Sequence, residues 1–192
     1  MLPIEFQAQF DRLSYIGGGC IFSLYNNKEP KDFDFLVHKS FPVDRFREYF
    51  IDQCGYHGDN IHGGTFCGSP LLVTDNAISI GKYQIITRWT GTPEEVINDF
   101  DFAHNMFYWE EYVGIHTLSD WKYLKSNELV YNEKRARDIV GTLMRVPRFV
   151  SRGMKIKHSE LAKILLRLHE VGFNEQELEI LNDAKSDKHF GS

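Results

Sequence analysis

The chain has 192 residues, 42% hydrophobic and 26% charged, which fits a globular protein of one domain or one domain with a small appendage. No apolar run approaches the roughly 18 residues of a membrane helix, and the N-terminus lacks the pattern of a signal peptide. Three cysteines without framework spacing favour free thiols in the cytoplasm. These features predict no membrane partner. The final Gly191 and Ser192 are either native or a cloning remnant and carry no argument.

The net charge of the chain is -5, but the charge is unevenly distributed, because residues 134–157 form a basic segment. This segment has eight basic residues and one acidic residue, a net charge of +7. A local basic patch on an acidic protein favours a phosphate-bearing partner at one place. The alternative is a solvated helical face.

The N-terminal part alternates helices and short strands. Phe6, Phe10 and Leu13 have helical spacing, a strand at 15–16 ends at three glycines, and a short helix over 20–26 follows. A strand is predicted over 33–38, and a helix opens after Pro42. Residues 54–69 are glycine-rich and predicted to be irregular. Strands are predicted over 71–74, 77–80 and 83–89.

A helix start is predicted at Thr92, as N-cap, and Pro93. From there the chain is predicted to turn helical, with helices over 133–151, 159–171 and 175–184. The organisation is therefore a mixed α/β part that ends near residue 115, followed by a helical part.

Two carboxylates begin the strand over 33–38. Side chains alternate along a strand, so Asp32 and Asp34 share one face, while Phe33 and Phe35 share the other and can anchor the strand. Two carboxylates held close repel each other, and a divalent cation relieves the repulsion. Mg²⁺ prefers such hard oxygen ligands together with substrate phosphates. An Asp-x-Asp triplet by itself is more often a solvated turn.

A glycine turn precedes the carboxylates by thirteen residues. Gly19 is the last of three glycines between a predicted strand and a short helix. Glycines let the backbone approach a ligand closely, and a helix N-terminus offers free amide donors to a triphosphate. The order of strand, glycine turn, helix and Asp-x-Asp strand is a more specific signal of a nucleotide site than either feature alone.

The run over 16–35, IGGGCIFSLYNNKEPKDFDF, resembles the head of class II CCA-adding enzymes and bacterial poly(A) polymerases. These enzymes belong to the DNA polymerase β-like nucleotidyltransferase superfamily. Residues 101–108, DFAHNMFY, resemble the family's Arg-Asp-Phe-Thr-x-Asn-Ala segment. Residues 143–149, LMRVPRF, followed by Arg152 and Gly153, resemble its Leu-x-Arg-Ala-x-Arg-Phe helix. In the first run the matching residues are Gly18, Gly19, Pro30, Lys31, Asp32 and Asp34.

The resemblance implies an α+β fold, in which a nucleotidyltransferase palm of small mixed β-sheet and flanking helices precedes a helical C-terminal part. Residues 1–115 would form the catalytic domain and 116–192 a neck-like helical region. The implied reaction transfers an NMP from an NTP to an acceptor hydroxyl with Mg²⁺ or Mn²⁺.

The resemblance and the chemistry of nucleotidyl transfer together give the candidate site residues. Asp32 and Asp34 would bind the metal on the triphosphate, and Asp101 would bind a second metal that activates the acceptor hydroxyl, with Asp99 as the alternate. Candidate nucleotide contacts are Gly18, Gly19, Ser23, Lys31, Arg88, Asn105, Arg145 and Arg148.

The sequence departs from the family pattern in three places. Ile21, Phe22 and Ser23 stand where Val-Arg-Asp is usual, and Phe100 replaces an arginine. The element that selects the incoming base has Asp138, Ile139 and Thr142 in place of its two acids and arginine. The resemblance therefore predicts the type of reaction better than it predicts the substrate.

The favoured acceptor is an RNA 3′ end, such as that of tRNA, because of the basic segment. Nucleotidylation of a protein hydroxyl and a non-catalytic nucleotide- or RNA-binding module remain alternatives. Compact heads of this kind resemble proteins of phage or mobile-element origin. A separate zinc site is an open alternative, with spacing that zinc could use at Cys54, His57, His62 and Cys67.

Overall fold

A computed structural model describes residues 2–183 of the chain. The chain divides into two compact units. The first extends to Asn98 and resumes at Asn105–Leu118; the second takes in Asp99–His104 and resumes at Ser119. Among residues 2–183, no helix is long and apolar enough to cross a bilayer.

The first unit is an α+β structure, as predicted. Its helices are α1 (Ile4–Leu13), α2 (Gly19–Tyr25), α3 (Val43–Asp52) and α4 (Pro93–Val96). Its strands are β1 (Ser14–Gly17), β2 (Phe33–Val37), β3 (Cys54–His57), β4 (Ile61–Phe66), β5 (Ser69–Thr74), β6 (Ala77–Ile80), β7 (Tyr83–Ile86), β8 (Phe107–Glu110) and β9 (Gly114–Thr117). Within the described residues these strands form a nine-stranded mixed sheet in the order β3-β4-β5-β6-β7-β2-β1-β8-β9.

The carboxylate strand lies in the middle of this sheet. β2 pairs antiparallel with β1 and parallel with β7, with Asp34 opposite Gly17 on one side and Gln84 on the other. Parallel neighbours require a long crossover, which here runs through α3 and strands β3 to β6. A central strand held from both sides is a rigid support for a site.

An aromatic core packs between α1, α3 and the sheet. Phe6, Phe10, Phe46 and Phe50 are buried, and neighbouring rings meet mostly edge to face, with centroids 5.0 Å apart for Phe46 and Phe50. Such aromatic pairs add about 0.5–1.5 kcal/mol each beyond the area they bury. This core accounts for much of the phenylalanine content of the chain.

The segment 54–69 is not irregular, and that prediction is wrong. It forms β3, β4 and the start of β5. A side chain at Gly64 would meet Cys54 Cα and the Gln53 carbonyl oxygen at 3.0 Å, so glycine allows the two strands to approach. Glycines interrupt the alternation of apolar and polar side chains by which strands are recognised in a sequence.

The helical part begins later than predicted. β8 and β9 follow α4, and the second unit then has short strands β10 (Glu128–Leu129) and β11 (Lys155–Ile156) with helices α5 (Ile139–Ser151), α6 (His158–Val171) and α7 (Glu175–Asp183). Residues 133–138 are not helical. Asp138 has a left-handed conformation (φ 49°) and caps α5 by accepting from the Gly141 amide at 3.2 Å. The predicted helix end at Ala184, and Gly191 and Ser192, lie outside the described residues.

Candidate functional site

Asp32 and Asp34 lie on one face of the sheet. Asp34 is the second residue of β2, and Asp32 immediately precedes the strand. On the opposite face, Phe35 packs against the aromatic core and Phe33 stacks on Tyr83 with ring centroids 5.7 Å apart. The phenylalanines fix the strand, and the alternation then holds both carboxylates on the face away from the aromatic core.

The two carboxylates repel each other. Burial, and secondly the negative charge of Asp32, raise the pKa of Asp34 from 3.8 to about 6. Above that pH the half-buried pair carries two negative charges that a cation would compensate. Carboxylate oxygens are the donors that Mg²⁺ and Mn²⁺ prefer, so the pair fits such an ion.

A glycine loop lies beside the carboxylates. Gly18 has φ 84° and ψ -150°, a backbone conformation that side chains strongly disfavour, and its amide donates to the Phe107 carbonyl at 3.0 Å. A side chain on Gly17, the residue opposite Asp34, would meet Ile97 at 2.6 Å and Leu36 at 2.8 Å. The conformation at Gly18 therefore favours glycine, and a side chain at Gly17 would displace the terminal methyl groups of two buried residues.

Asn105 adds a polar group at this loop. It is buried, and a Cβ on Gly19 would lie 3.4 Å from its Oδ1. Among residues 2–183, no group donates a hydrogen bond to that oxygen. Buried acceptors are nearly always paired in proteins, so Asn105 Oδ1 is an unsatisfied acceptor that a ligand could pair with only after the loop above it shifts.

Gln84 is a site residue that the sequence did not reveal. It is paired with Asp34 on β7 and half-buried, and paired residues share a face of the sheet. Fifty residues separate the two along the chain, and no local pattern predicts their pairing. The position beside Asp34 therefore carries an amide rather than a third carboxylate.

Three further predicted nucleotide contacts lie in the first unit. Ser23 is half-buried in α2, and Lys31 is exposed one residue before Asp32. Arg88 follows Gln84 by four residues, roughly 13 Å along an extended chain. Its guanidinium donates to Asn76 Oδ1 at 2.9 Å and lies over the Trp89 ring at 4.9 Å. These contacts hold Arg88 at its own end of the sheet.

Two predicted residues of the second unit bind each other. Asp101 is buried and accepts from Arg145 Nε at 2.6 Å, while Arg145 Nη2 donates to Asp138 at 3.2 Å. Burial lowers the pKa of Arg145, but the two carboxylates outweigh it and the net shift is upward. Arg148, by contrast, is exposed. Asp101 would have to release Arg145 before it bound a metal.

The residues of the zinc alternative do not gather into one cluster. Cys54 is buried and its thiol donates to the Phe50 carbonyl, while Cys67 lies in the turn after β4. Within the described part of the chain, no group of three or more His, Cys, Asp or Glu side chains is placed to hold a metal ion. His57 and His62 alone face each other.

Sequence comparison relates the chain to a family of phage proteins. The model of the family described as Gabija anti-defense 2 matches residues 6–128. A curated relative from Bacillus phage SPbetaL7, named Gabija anti-defense 2, is 28% identical over 166 residues, which are 84% of this chain. The chain spans 39% of the length of that relative.

Structure comparison gives the same fold as the sequence resemblance. The CCA-adding enzyme of Bacillus stearothermophilus in complex with CTP has a TM-score of 0.55 and 19% identity, over 84% of this chain and 43% of that one. The Thermotoga maritima CCA-adding enzyme complexed with tRNA has a TM-score of 0.53 and 14% identity, over 88% and 43%. The predicted fold is confirmed by this likeness to the nucleotidyltransferase head of CCA-adding enzymes. By its sequence, the chain belongs to the Gabija anti-defense 2 family.

Proposed function

We propose that the chain is a metal-dependent nucleotidyltransferase, which transfers an NMP from an NTP to an acceptor hydroxyl. The observation that carries this proposal is the Asp32–Asp34 pair beside a glycine loop. An unpaired buried acceptor, Asn105 Oδ1, lies at the same loop. These groups belong to one compact unit.

Each group has a role that follows from its chemistry. Asp32 and Asp34 hold the Mg²⁺ or Mn²⁺ of the NTP, and the backbone at Gly18 and Gly19 lets phosphate oxygens approach closely. Asn105 Oδ1 accepts from a ribose hydroxyl or a base amine. When bound, the metal neutralises charge on the phosphates of the NTP. In the reaction the acceptor oxygen bonds to the α-phosphorus, the bond to pyrophosphate breaks, and the hydroxyl proton passes to solvent.

Asp101 keeps its proposed role as ligand of a second cation. Arg145 neutralises its carboxylate at 2.6 Å, so this role requires the ion pair to open. The Arg145 side chain, once released, carries a charge that suits a phosphate. The proposed roles of Ser23, Lys31 and Arg148 are phosphate contacts. The proposed role of Arg88, a ribose or phosphate contact, requires it to leave Asn76 and Trp89.

The favoured acceptor is an RNA 3′ end, such as that of tRNA. Arg148, Arg152 and Lys155 are exposed in the basic segment of the second unit and can bind a nucleic-acid backbone. CCA-adding enzymes of the same fold have been solved with tRNA and with CTP. Both enzymes are less than 25% identical to this chain, so the proposal of an RNA acceptor is based on the basic segment and not on these likenesses.

A second candidate is nucleotidylation of a protein hydroxyl. The observation that favours it is membership of an anti-defense family, since blocking a bacterial defence system can be achieved by modifying one of its proteins. The triphosphate chemistry is unchanged, and only the acceptor differs.

The destination of a labelled nucleotide distinguishes these acceptors. The protein is incubated with each α-³²P NTP, Mg²⁺ or Mn²⁺ and host-cell extract, and the products are divided between RNase and protease treatment. We expect label that RNase removes. Label that only protease removes would assign the protein acceptor. No label with any NTP, together with unimpaired NTP binding, would indicate a non-catalytic binding module.

A further inference from the structure

Two histidines face each other across the β3–β4 hairpin. His57 is paired with His62, and their Nδ1 atoms are 3.1 Å apart. His57 is exposed and His62 half-buried, and β3 is the terminal strand of the larger sheet. At this distance one Nδ1–H donates to the lone pair of the other ring. Two imidazole nitrogens thus converge at a sheet edge that is open to solvent.

The cysteines of the same segment do not join this pair. Cys67 is five residues from His62, roughly 16 Å along an extended strand. Cys54 is paired with Gly64 and is buried. The group is therefore a two-histidine pair rather than the four-residue zinc site that the spacing suggested.

The nitrogen separation suits a late transition-metal ion. Metal–imidazole bonds are about 2.0–2.1 Å long, so two of them spanning the pair enclose roughly 95–102° at the metal. That angle lies between the about 90° of square-planar or octahedral sites and the about 109° of tetrahedral ones. To bind one ion, each Nδ1 lone pair must point roughly 40° away from the line between the two nitrogens, which requires both rings to turn. Mg²⁺ requires oxygen donors and does not suit this pair.

We propose that His57 and His62 form a two-histidine site for Cu²⁺, Ni²⁺ or Zn²⁺ that joins β3 to β4. On binding, the proton shared between the Nδ1 atoms moves through solvent to Nε2 of the donor ring, and both Nδ1 lone pairs bind the ion. Water fills the remaining coordination positions. Because these ions bind the folded hairpin, they stabilise the edge of the sheet. This site is independent of the proposed transferase activity.

Metal titration of the tag-free full chain tests the site. The protein is stripped with a chelator, dialysed, and titrated with CuCl₂, NiCl₂ and ZnCl₂ by calorimetry and thermal unfolding. We expect one ion per chain at the hairpin, in addition to any ion that the carboxylate pair takes up, with Cu²⁺ bound most tightly. Tm should rise by about 3–5 °C at a free metal concentration ten times Kd. The Cu²⁺ complex should show nitrogen hyperfine splitting by electron paramagnetic resonance.

Single substitutions locate the ion. His57→Asn and His62→Asn should each weaken binding roughly tenfold or more, because each removes one of two ligands. His158→Asn, an exposed histidine at the start of α6, is the matched control and should bind as the wild type does. Asp34→Asn should remove any ion that the carboxylate pair holds and leave the hairpin ion in place, which separates the two sites. Wild-type affinity in both hairpin variants, or no binding by the wild type below about 1 mM, would overturn the proposal.

Discussion

Replacing Asp34 by asparagine should stabilise the metal-free protein. The charged form of Asp34 is disfavoured in the folded state by burial and by Asp32, which raise its pKa from 3.8 to about 6. Asparagine keeps the shape and carries no charge. We therefore expect Asp34→Asn to increase the free energy of unfolding. Such gains are common where a proposed function requires an unfavourable charge in the folded protein.

The magnitude follows from the shift in pKa. A change of about 2 pKa units corresponds to about 3 kcal/mol, and screening by solvent at this half-buried site reduces it to about 1–2 kcal/mol. For a protein of this size the gain in Tm is about 3–6 °C. The folded state binds the proton of Asp34 more tightly than the unfolded chain, so wild-type stability falls as pH rises from 3.8 to about 6. The advantage of Asp34→Asn should be complete above about pH 6 and vanish near pH 3.8.

Thermal unfolding at pH 7.5 and near pH 4, with and without Mg²⁺, measures this effect. Mg²⁺ should raise the Tm of the wild type and not that of Asp34→Asn. Asp32→Asn should give a smaller gain, because its charge is the second cause of the shift and burial the first. Asp75→Asn, in an exposed turn between β5 and β6, is the matched control. An Asp34→Asn protein no more stable than the wild type at pH 7.5, or a gain that persists near pH 4, would refute the reasoning.

Three further predictions follow from single residues. Gln84→Glu should tighten Mn²⁺ binding roughly tenfold by adding a third carboxylate beside Asp34, whereas Gln84→Ala should not. Calorimetry measures the affinity of both variants for Mn²⁺, and the same affinity in both would contradict the placement of residue 84 at the metal site. Gly18→Ala should lower the free energy of unfolding by about 1–3 kcal/mol, because alanine disfavours a φ of 84°. Urea unfolding measures this loss against the control Gly55→Ala, whose Cβ would enter open space. The same loss in both variants would contradict the prediction. Burial lowers the pKa of His104 from 6.5 to about 4, so unfolding takes up a proton and stability should fall by about 2–3 kcal/mol as pH drops from 6.5 to 4.5. His104→Asn should remove that part of the pH dependence, and an unchanged slope between the two pH values would show that His104 is not its source.

The carboxylate strand was predictable because its signal is local. Alternation alone places Asp32 and Asp34 on one face and Phe33 and Phe35 on the other, and the core then takes Phe35. The glycine loop was predictable for a similar reason, since three consecutive glycines between a strand and a helix restrict the local backbone.

Other features depend on contacts that the sequence does not encode locally. Gln84 lies beside Asp34 only because β2 and β7 pair in parallel across a long crossover. Asp101 and Arg145 are 44 residues apart, and each was predicted separately as a ligand contact before the structure paired them. The hairpin that brings His57 to His62 was missed because glycines replace the side chains whose alternation indicates strands.

Pyrophosphate release tests the central claim most directly. The metal-free protein is mixed with an NTP, host RNA and Mn²⁺ or Mg²⁺, and pyrophosphate is measured for the wild type, Asp32→Asn, Asp34→Asn and the Asp75→Asn control. We expect metal-dependent release by the wild type and the control, and a loss of about 100-fold or more in both site variants. Thermal unfolding of each variant checks that the loss is not caused by a failure to fold. Release by Asp34→Asn at the wild-type rate would contradict the assignment of the carboxylate pair as the metal site of a nucleotidyltransferase.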